Sequence, residues 1–293
     1  MGTAGGRVFG PDYRIQWFRV VPFLALHAAC LTVVLVGVSW TAVGVCAGLY
    51  VLRMFAITGF YHRYFSHKCF RTSRPFQFVM AVLGSTAVQR GPIWWAAHHR
   101  HHHAHTDEPE DLHSPRVRGF FMAHVGWFMT KAGYRVNRKY SKDWERYPEL
   151  RFLNRFDFVV PALFALGVYL LGVLIERRAP QLGADRWQVF VFGFVVSTVL
   201  LYHGTFVINS LAHLWGSRRY ETPDTSRNNA VLALITLGEG WHNNHHHCSA
   251  ARQGFFWWEF DPTYLGLLLL RALRLIRDLK PVPERLRRPE TRP

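Results

Sequence analysis

A chain of 293 residues with 35 Lys and Arg against 19 Asp and Glu carries a formal charge of +16, a balance that invites a nucleic-acid reading. The placement of the charge argues against one. Sixteen Lys/Arg lie between Tyr61 and Phe156 and twelve after Asn209, while only Arg177, Arg178 and Arg186 separate the last two apolar runs; this is the positive-inside pattern of a membrane protein with no nucleic-acid partner. Four cysteines without a C-x-x-C pair exclude a disulfide framework.

The first apolar run spans about residues 20–40 and contains His27; the second spans 41–60 and contains Arg53. Each is close to the ~20 residues a membrane-crossing helix needs. The first is too long for a signal core and a second follows at once, so it is expected to be a span rather than a cleavable leader. Barely a turn separates the two, so they are expected to form a hairpin, with Arg53 snorkelling or facing protein. The next apolar stretch, Pro75 to Trp95, is broken by Gln89, Arg90, Gly91 and Pro92 and is expected to be a re-entrant or interfacial helix. Runs at 156–175 and 187–208 make a second hairpin joined by the polar turn Glu176 to Arg186.

These elements predict an all-α integral membrane protein: one domain over 1–293 with four transmembrane helices in two hairpins. A helical cap, made of residues 61–155 and 209–279, would lie on the cytoplasmic side together with both termini. Tyr264 to Leu279 carries Arg271, Arg274 and Arg277 at three-residue spacing, a basic face expected to rest on anionic lipid. The Pro/Arg-rich tail over 280–293 is expected to be disordered.

Three histidine clusters fall outside the apolar runs: His62-Arg-Tyr-Phe-Ser-His67, His99-Arg-His-His102-His103 and His242-Asn-Asn-His245-His246. Neutral imidazole suits iron, copper and zinc. On a helix, positions i, i+3 and i+4 share a face, so the second and third clusters each present three rings that can reach one metal or two adjacent metals. His62 and His67, five apart, lie about 140° from each other around an α-helix and converge only where the helix ends or bends. The middle cluster has a second register, since His98, His101 and His102 satisfy the same spacing and His105 extends it. Spacing leaves that choice open.

The pattern H-x4-H, H-x-x-H-H, H-x-x-H-H resembles the membrane-bound fatty acyl desaturases of the Δ9 acyl-CoA or acyl-lipid type. Gly-Phe-Tyr-His-Arg at the first box, His113-Ser-Pro and Gly-Phe-Phe-Met-Ala-His-Val-Gly-Trp after the second, Asn209-Ser-Leu-Ala-His213, and Gly-Glu-Gly-Trp-His242 carry the likeness from about Arg53 to Asp261. The family's Arg after the first ligand of the middle box corresponds to Arg100. The resemblance therefore implies a ligand set of His62, His67, His99, His102, His103, His213, His242, His245 and His246, with Asn209 acting through water. His98, His101 and His105 become flanking residues, and His113, His124 and His203 are expected to make structural contacts.

The resemblance also implies a centre of two iron ions using O2 to desaturate a fatty acyl chain carried by CoA or by a lipid, with Gln89, Trp95 and Thr205 lining a tunnel bend. The cofactor must carry that oxidation, because no side chain can. Asp107, Glu110, Asp111 and Glu239 are candidates to orient the rings, while the Glu-x-x-His pairs Glu110/His113 and Glu239/His242 are read as incidental. Arg63, Arg74 or the basic loop Arg135 to Lys142 could hold an anionic head group. No His-Pro-Gly-Gly haem module is present, so electrons are expected from a separate ferredoxin, or from cytochrome b5 with its reductase. A related hydroxylase or ketolase, and a non-enzymatic membrane metal-binding protein, are the alternatives.

Overall fold

A computed structural model of the protein describes residues 12–287. Among these residues, four helices are long and apolar enough to cross a membrane: Trp17–Val36, Trp40–Ser66, Val159–Arg178 and Arg186–His213. Gly37, at φ 70°, ends the first, and the Ser39 side chain caps the second by accepting from Ala42 N–H. Asp185 and Gln188 form a reciprocal capping box at the start of the fourth. The two hairpin turns touch, with Thr41 Oγ1 donating to Leu182 O at 2.6 Å and Gln188 Nε2 to Val36 O at 2.9 Å. The other ends of the four spans meet the remaining helices, which form a cap on that side.

The second and fourth spans run past their apolar stretches, to Ser66 and His213. The cap covers their polar extensions: His62, Arg63 and His213 are all buried. Arg53 faces protein, donating to Thr198 Oγ1 at 2.7 Å, Ser197 Oγ at 2.5 Å and Leu49 O at 3.1 Å. A buried guanidinium needs this many acceptors to offset its lost hydration.

The stretch read as one interfacial helix is two, Arg74–Ser85 and Pro92–His105. Val88 and Arg90 adopt left-handed φ values of 60° and 67°, which no helix tolerates in series. Pro92 then starts the second helix, at a position where its missing N–H costs nothing. Gly91 lies so close to the helix Pro148–Arg155 that a Cβ there would stand 2.5 Å from Asn154 Cα.

The C-terminal region departs from expectation in two ways. Its helix covers only Pro262–Ala272, Arg274 has φ 58°, and Ile276–Arg277 pairs antiparallel with Arg71–Thr72. Arg271, Arg274 and Arg277 therefore do not share a helical face. Residues 280–287 of the expected disordered tail are ordered. Lys280 N–H donates to Cys69 O at 2.7 Å, Val282 is buried, and Tyr220 Oη donates to Leu286 O at 3.0 Å. Backbone pairing and an apolar anchor offset the cost of ordering a Pro/Arg-rich segment. Residues 288–293 lie outside the described range.

Candidate metal centre

The nine predicted histidines come together as two groups beneath the cap. His62, His67, His99, His103 and His245 form one, and His102, His213, His242 and His246 the other; within each, one ring nitrogen per residue lies within 4.8 Å of every other. The first box converges through backbone geometry. Residues Ala56–Ser66 are π-helical, and His67 N–H donates to His62 O, five residues back, at 3.2 Å. The wider turn brings i and i+5 together where an α-helix separates them, leaving the two ring centroids 4.9 Å apart.

The other two boxes are each split between the groups. On the helix Pro92–His105, His99 and His103 face one group and His102 the other; on His242–His247, His242 and His246 face the second group and His245 the first. An i, i+4 pair plus the intervening i+3 residue thus straddles two adjacent centres. The alternative register is not used. His98 packs against Trp94 and Trp127, and His105 bonds Glu108 and Tyr140. Arg100 ties this helix to the π-segment, donating to Phe65 O at 2.6 Å and Ser66 O at 2.8 Å.

Nitrogen spacing within the groups fits metal coordination. His67 Nε2 is 2.7 Å from His99 Nε2, His103 and His245 are 2.9 Å apart, and the His62–His245 and His213–His242 pairs are each 3.1 Å apart, all Nε2 to Nε2. Two nitrogens bound to one ion at about 2.1 Å and at right angles would be about 3 Å apart. His245 Nε2 faces both His62 and His103, and one neutral ring nitrogen cannot satisfy both by hydrogen bonding alone. Among the described residues, His246 Nε2 and His242 Nδ1 are buried without a hydrogen-bond partner.

Electrostatics keep five of these rings neutral. Burial, reinforced by mutual repulsion, holds His67, His99, His103, His242 and His245 well below the ordinary value of 6.5. Their lone pairs therefore remain available for metal at neutral pH. His102 shifts the other way: burial depresses it, but Asp111, Asp107 and Asp224 more than offset that and raise it.

Three carboxylates fix ring orientation. The Nδ1–H of His62 donates to Glu239, that of His102 to Asp111 at 2.9 Å, and that of His246 to Asp224 at 2.8 Å. All three acids are held below the usual carboxylate range: burial opposes ionisation, but the neighbouring histidines, with Arg63 at Glu239, outweigh it. Such partners set which ring nitrogen carries the proton and leave Nε2 for the metal. Two sequence candidates behave differently. Asp107 accepts from Thr225 and Ser114 instead of a histidine, and Glu110 is exposed.

The Glu239/His242 spacing makes no pair: Glu239, one of the expected orienting acids, bonds His62 and not His242. Glu239 holds His62 from the other side of the site and is itself paired with Arg63 at 3.1 Å. Sequence reasoning missed Asp224 and also Gln253, whose Nε2 lies 2.9 Å from Glu239, 3.3 Å from His62 and 3.4 Å from His245. Neither has a motif, and long-range folding alone brings them in. Arg63 is no head-group site, since it is fully buried and bonded to Asp261 and Glu239. Arg74 is already engaged by Glu149.

Two cavities meet at this centre. One of about 550 Å³ is bounded by the first, third and fourth spans and the cap; a smaller one of about 50 Å³ runs along Met54, Ile57 and Thr58. Trp95, His99, Thr205 and Asn209 line both. At the junction Gln89 donates to Thr205 Oγ1 at 2.9 Å and accepts from Trp95 Nε1 at 3.4 Å, so the three expected bend residues form one hydrogen-bonded set.

A family model for fatty acid desaturases matches residues 38–285. The chain is 35% identical over 283 residues to the sn-2 palmitoyl-lipid 9-desaturase of Nostoc sp. (strain 36), covering 94% of this chain and 93% of that protein. It is 35% identical to the sn-1 stearoyl-lipid 9-desaturase of Anabaena variabilis (91% and 94% covered) and 34% identical to the acyl-CoA C20 Delta5-desaturase of Anemone leveillei (90% and 81%).

Proposed function

The chain belongs to the fatty acid desaturase family and is a desaturase of fatty acyl chains, and from that premise we propose that it introduces a cis double bond at Δ9, using two iron ions held by the nine histidines. The observation that carries the reading is the pair of buried imidazole groups, five and four strong, at the junction of two cavities. Iron with O2 would supply the oxidising power needed at an unactivated methylene. An all-nitrogen donor set of neutral rings suits iron as it does zinc or copper, and the desaturase family favours iron.

The chain's own residues position and exclude. Glu239, Asp111 and Asp224 hold His62, His102 and His246; Asn209 reaches the second group through water. Gln89, Trp95 and Thr205 hold the acyl chain at the bend, so that one C–C bond stands at the centre at a fixed distance from the carboxyl end. The whole chain acts as one membrane domain, with the centre and both termini cytoplasmic, in keeping with its basic cap. An external carrier, a ferredoxin or cytochrome b5 with its reductase, delivers electrons to that face.

Expression of the full chain in cells supplied with defined saturated acids, with double bonds located by mass spectrometry, tests the reading. Unsaturation at a single distance from the carboxyl end, together with two iron ions per purified chain, is expected. A product heavier by one oxygen would assign a hydroxylase instead. One bound metal, or a mixture of positions, would overturn the two-iron tunnel picture.

A further inference from the structure

The larger cavity has its mouth between two spans. Phe18, in the first turn of the first span, and Phe158, immediately before the third, both line it and are 91% and 65% exposed. Both stand at the start of a span, beside Trp17 in the first, the level at which interfacial aromatics sit, so the opening lies at the membrane boundary. One wall is a single face of the first span, Phe18, Pro22 and Leu26 at four-residue spacing.

A cationic clamp stands at this mouth. The guanidinium of Arg19 lies 3.2 Å from the Tyr134 ring centroid and that of Arg90 3.6 Å from the same centroid. Arg90 is neutralised by Asp157 at 3.0 Å. Arg19 is exposed and, among the described residues, forms no ion pair.

We propose that this mouth is a lateral port for an acyl chain still esterified in a membrane glycerophospholipid, with the lipid phosphate held at Arg19. The proposal rests on the desaturase reading and names its substrate class. A guanidinium presents paired N–H donors that match phosphate oxygens. A lipid approaching sideways keeps its phosphate at the interface, while its chain passes along the first span toward Thr205 and Asn209 without crossing water. The phosphates of a CoA thioester would suit Arg19 equally, but its large, polar nucleotide would stand against the exposed rings of Phe18 and Phe158, which offer it no hydrogen bond.

Photolabelling of the purified full-length protein tests this without depending on metal loading. The protein is placed in phosphatidylcholine vesicles doped with phosphatidylglycerol that bears a diazirine midway along one saturated chain; adducts are mapped by mass spectrometry. Labelling within Trp94–Trp95 or Tyr202–Phe206 is expected, with about a tenfold drop in Arg19→Glu and near-normal labelling in Arg19→Lys. Phe158→Glu, on the opposite wall, should lower it as well and serves if Arg19→Glu fails to fold. Labelling unchanged in both charge variants, or a cavity reached only by the matching CoA thioester, would overturn the port. Desaturation of acyl-CoA without phospholipid labelling would overturn the port and leave the desaturase reading intact. Phospholipid labelling with no desaturation of any carrier would do the reverse.

Discussion

The odd- and even-numbered spans have comparable hydropathy but opposite roles. Only 6% of the first span's apolar window and 17% of the third's are buried, against 44% of the second's and 56% of the fourth's. Val34, Leu35, Leu163 and Leu174 on the odd spans project outward, toward lipid in a bilayer. The even spans contain π-helical stretches, bury Arg53 against Ser197 and Thr198, and continue out of the apolar layer to supply His62 and His213. Similar apolar composition thus serves as an anchor in one pair and as a scaffold for chemistry in the other. Polar residues within the even spans and in their extensions make the difference.

That contrast can be broken most severely at the centre. His245→Ala, which removes the ring facing both His62 and His103, should abolish activity and lower iron content, read by metal analysis; retained activity with two irons would dissociate the even-span scaffold from the chemistry. Asp224→Ala leaves the nine rings in place but frees His246, and should weaken iron binding by about 10–100-fold in a chelator competition. Arg53→Met leaves the even spans without the donor that Ser197 and Thr198 face, and should lower stability by about 1–3 kcal/mol in detergent unfolding. A neutral result would mean that apolar packing alone pairs these spans.

Acid should act on the centre as well. In metal-free protein the depressed histidines stay neutral while the unfolded chain, titrating near 6.5, takes up protons. Stability should therefore fall as pH drops below about 6.5, because the unfolded state then binds more protons. Thermal unfolding of apo protein at pH 7.5 and pH 5.5 reads this, and equal midpoints would contradict the buried neutral rings. The smallest effect belongs to the odd spans. Leu35→Ala should change stability by no more than about 0.5 kcal/mol, and a larger loss would give the first span a packing role that its exposure denies.

Much of the site was legible because metal chemistry constrains residue type and spacing. The four spans followed from run length, within a few residues at each end. Boundaries slipped at Ser66 and His213 because the helices extend into polar sequence covered by the cap, and hydropathy does not register burial supplied by another segment. The break at Val88–Arg90 was visible through Gln89, Gly91 and Pro92, but two left-handed residues were not.

The sequence by itself determined that eight histidines in three boxes stand beside four membrane spans; resemblance added His213 as a ninth and let Arg100 mark the register. Only the tertiary structure decided how they divide. A π-helix closes the five-residue gap between His62 and His67, and two α-helical boxes send their i+3 rings to the opposite group. Local periodicity governs which residues share a face, whereas the division between two centres depends on helices brought together across the whole chain. The same reason hid Asp224 and Gln253: a carboxylate or amide that orients a ring needs a position in space and leaves no pattern in the chain.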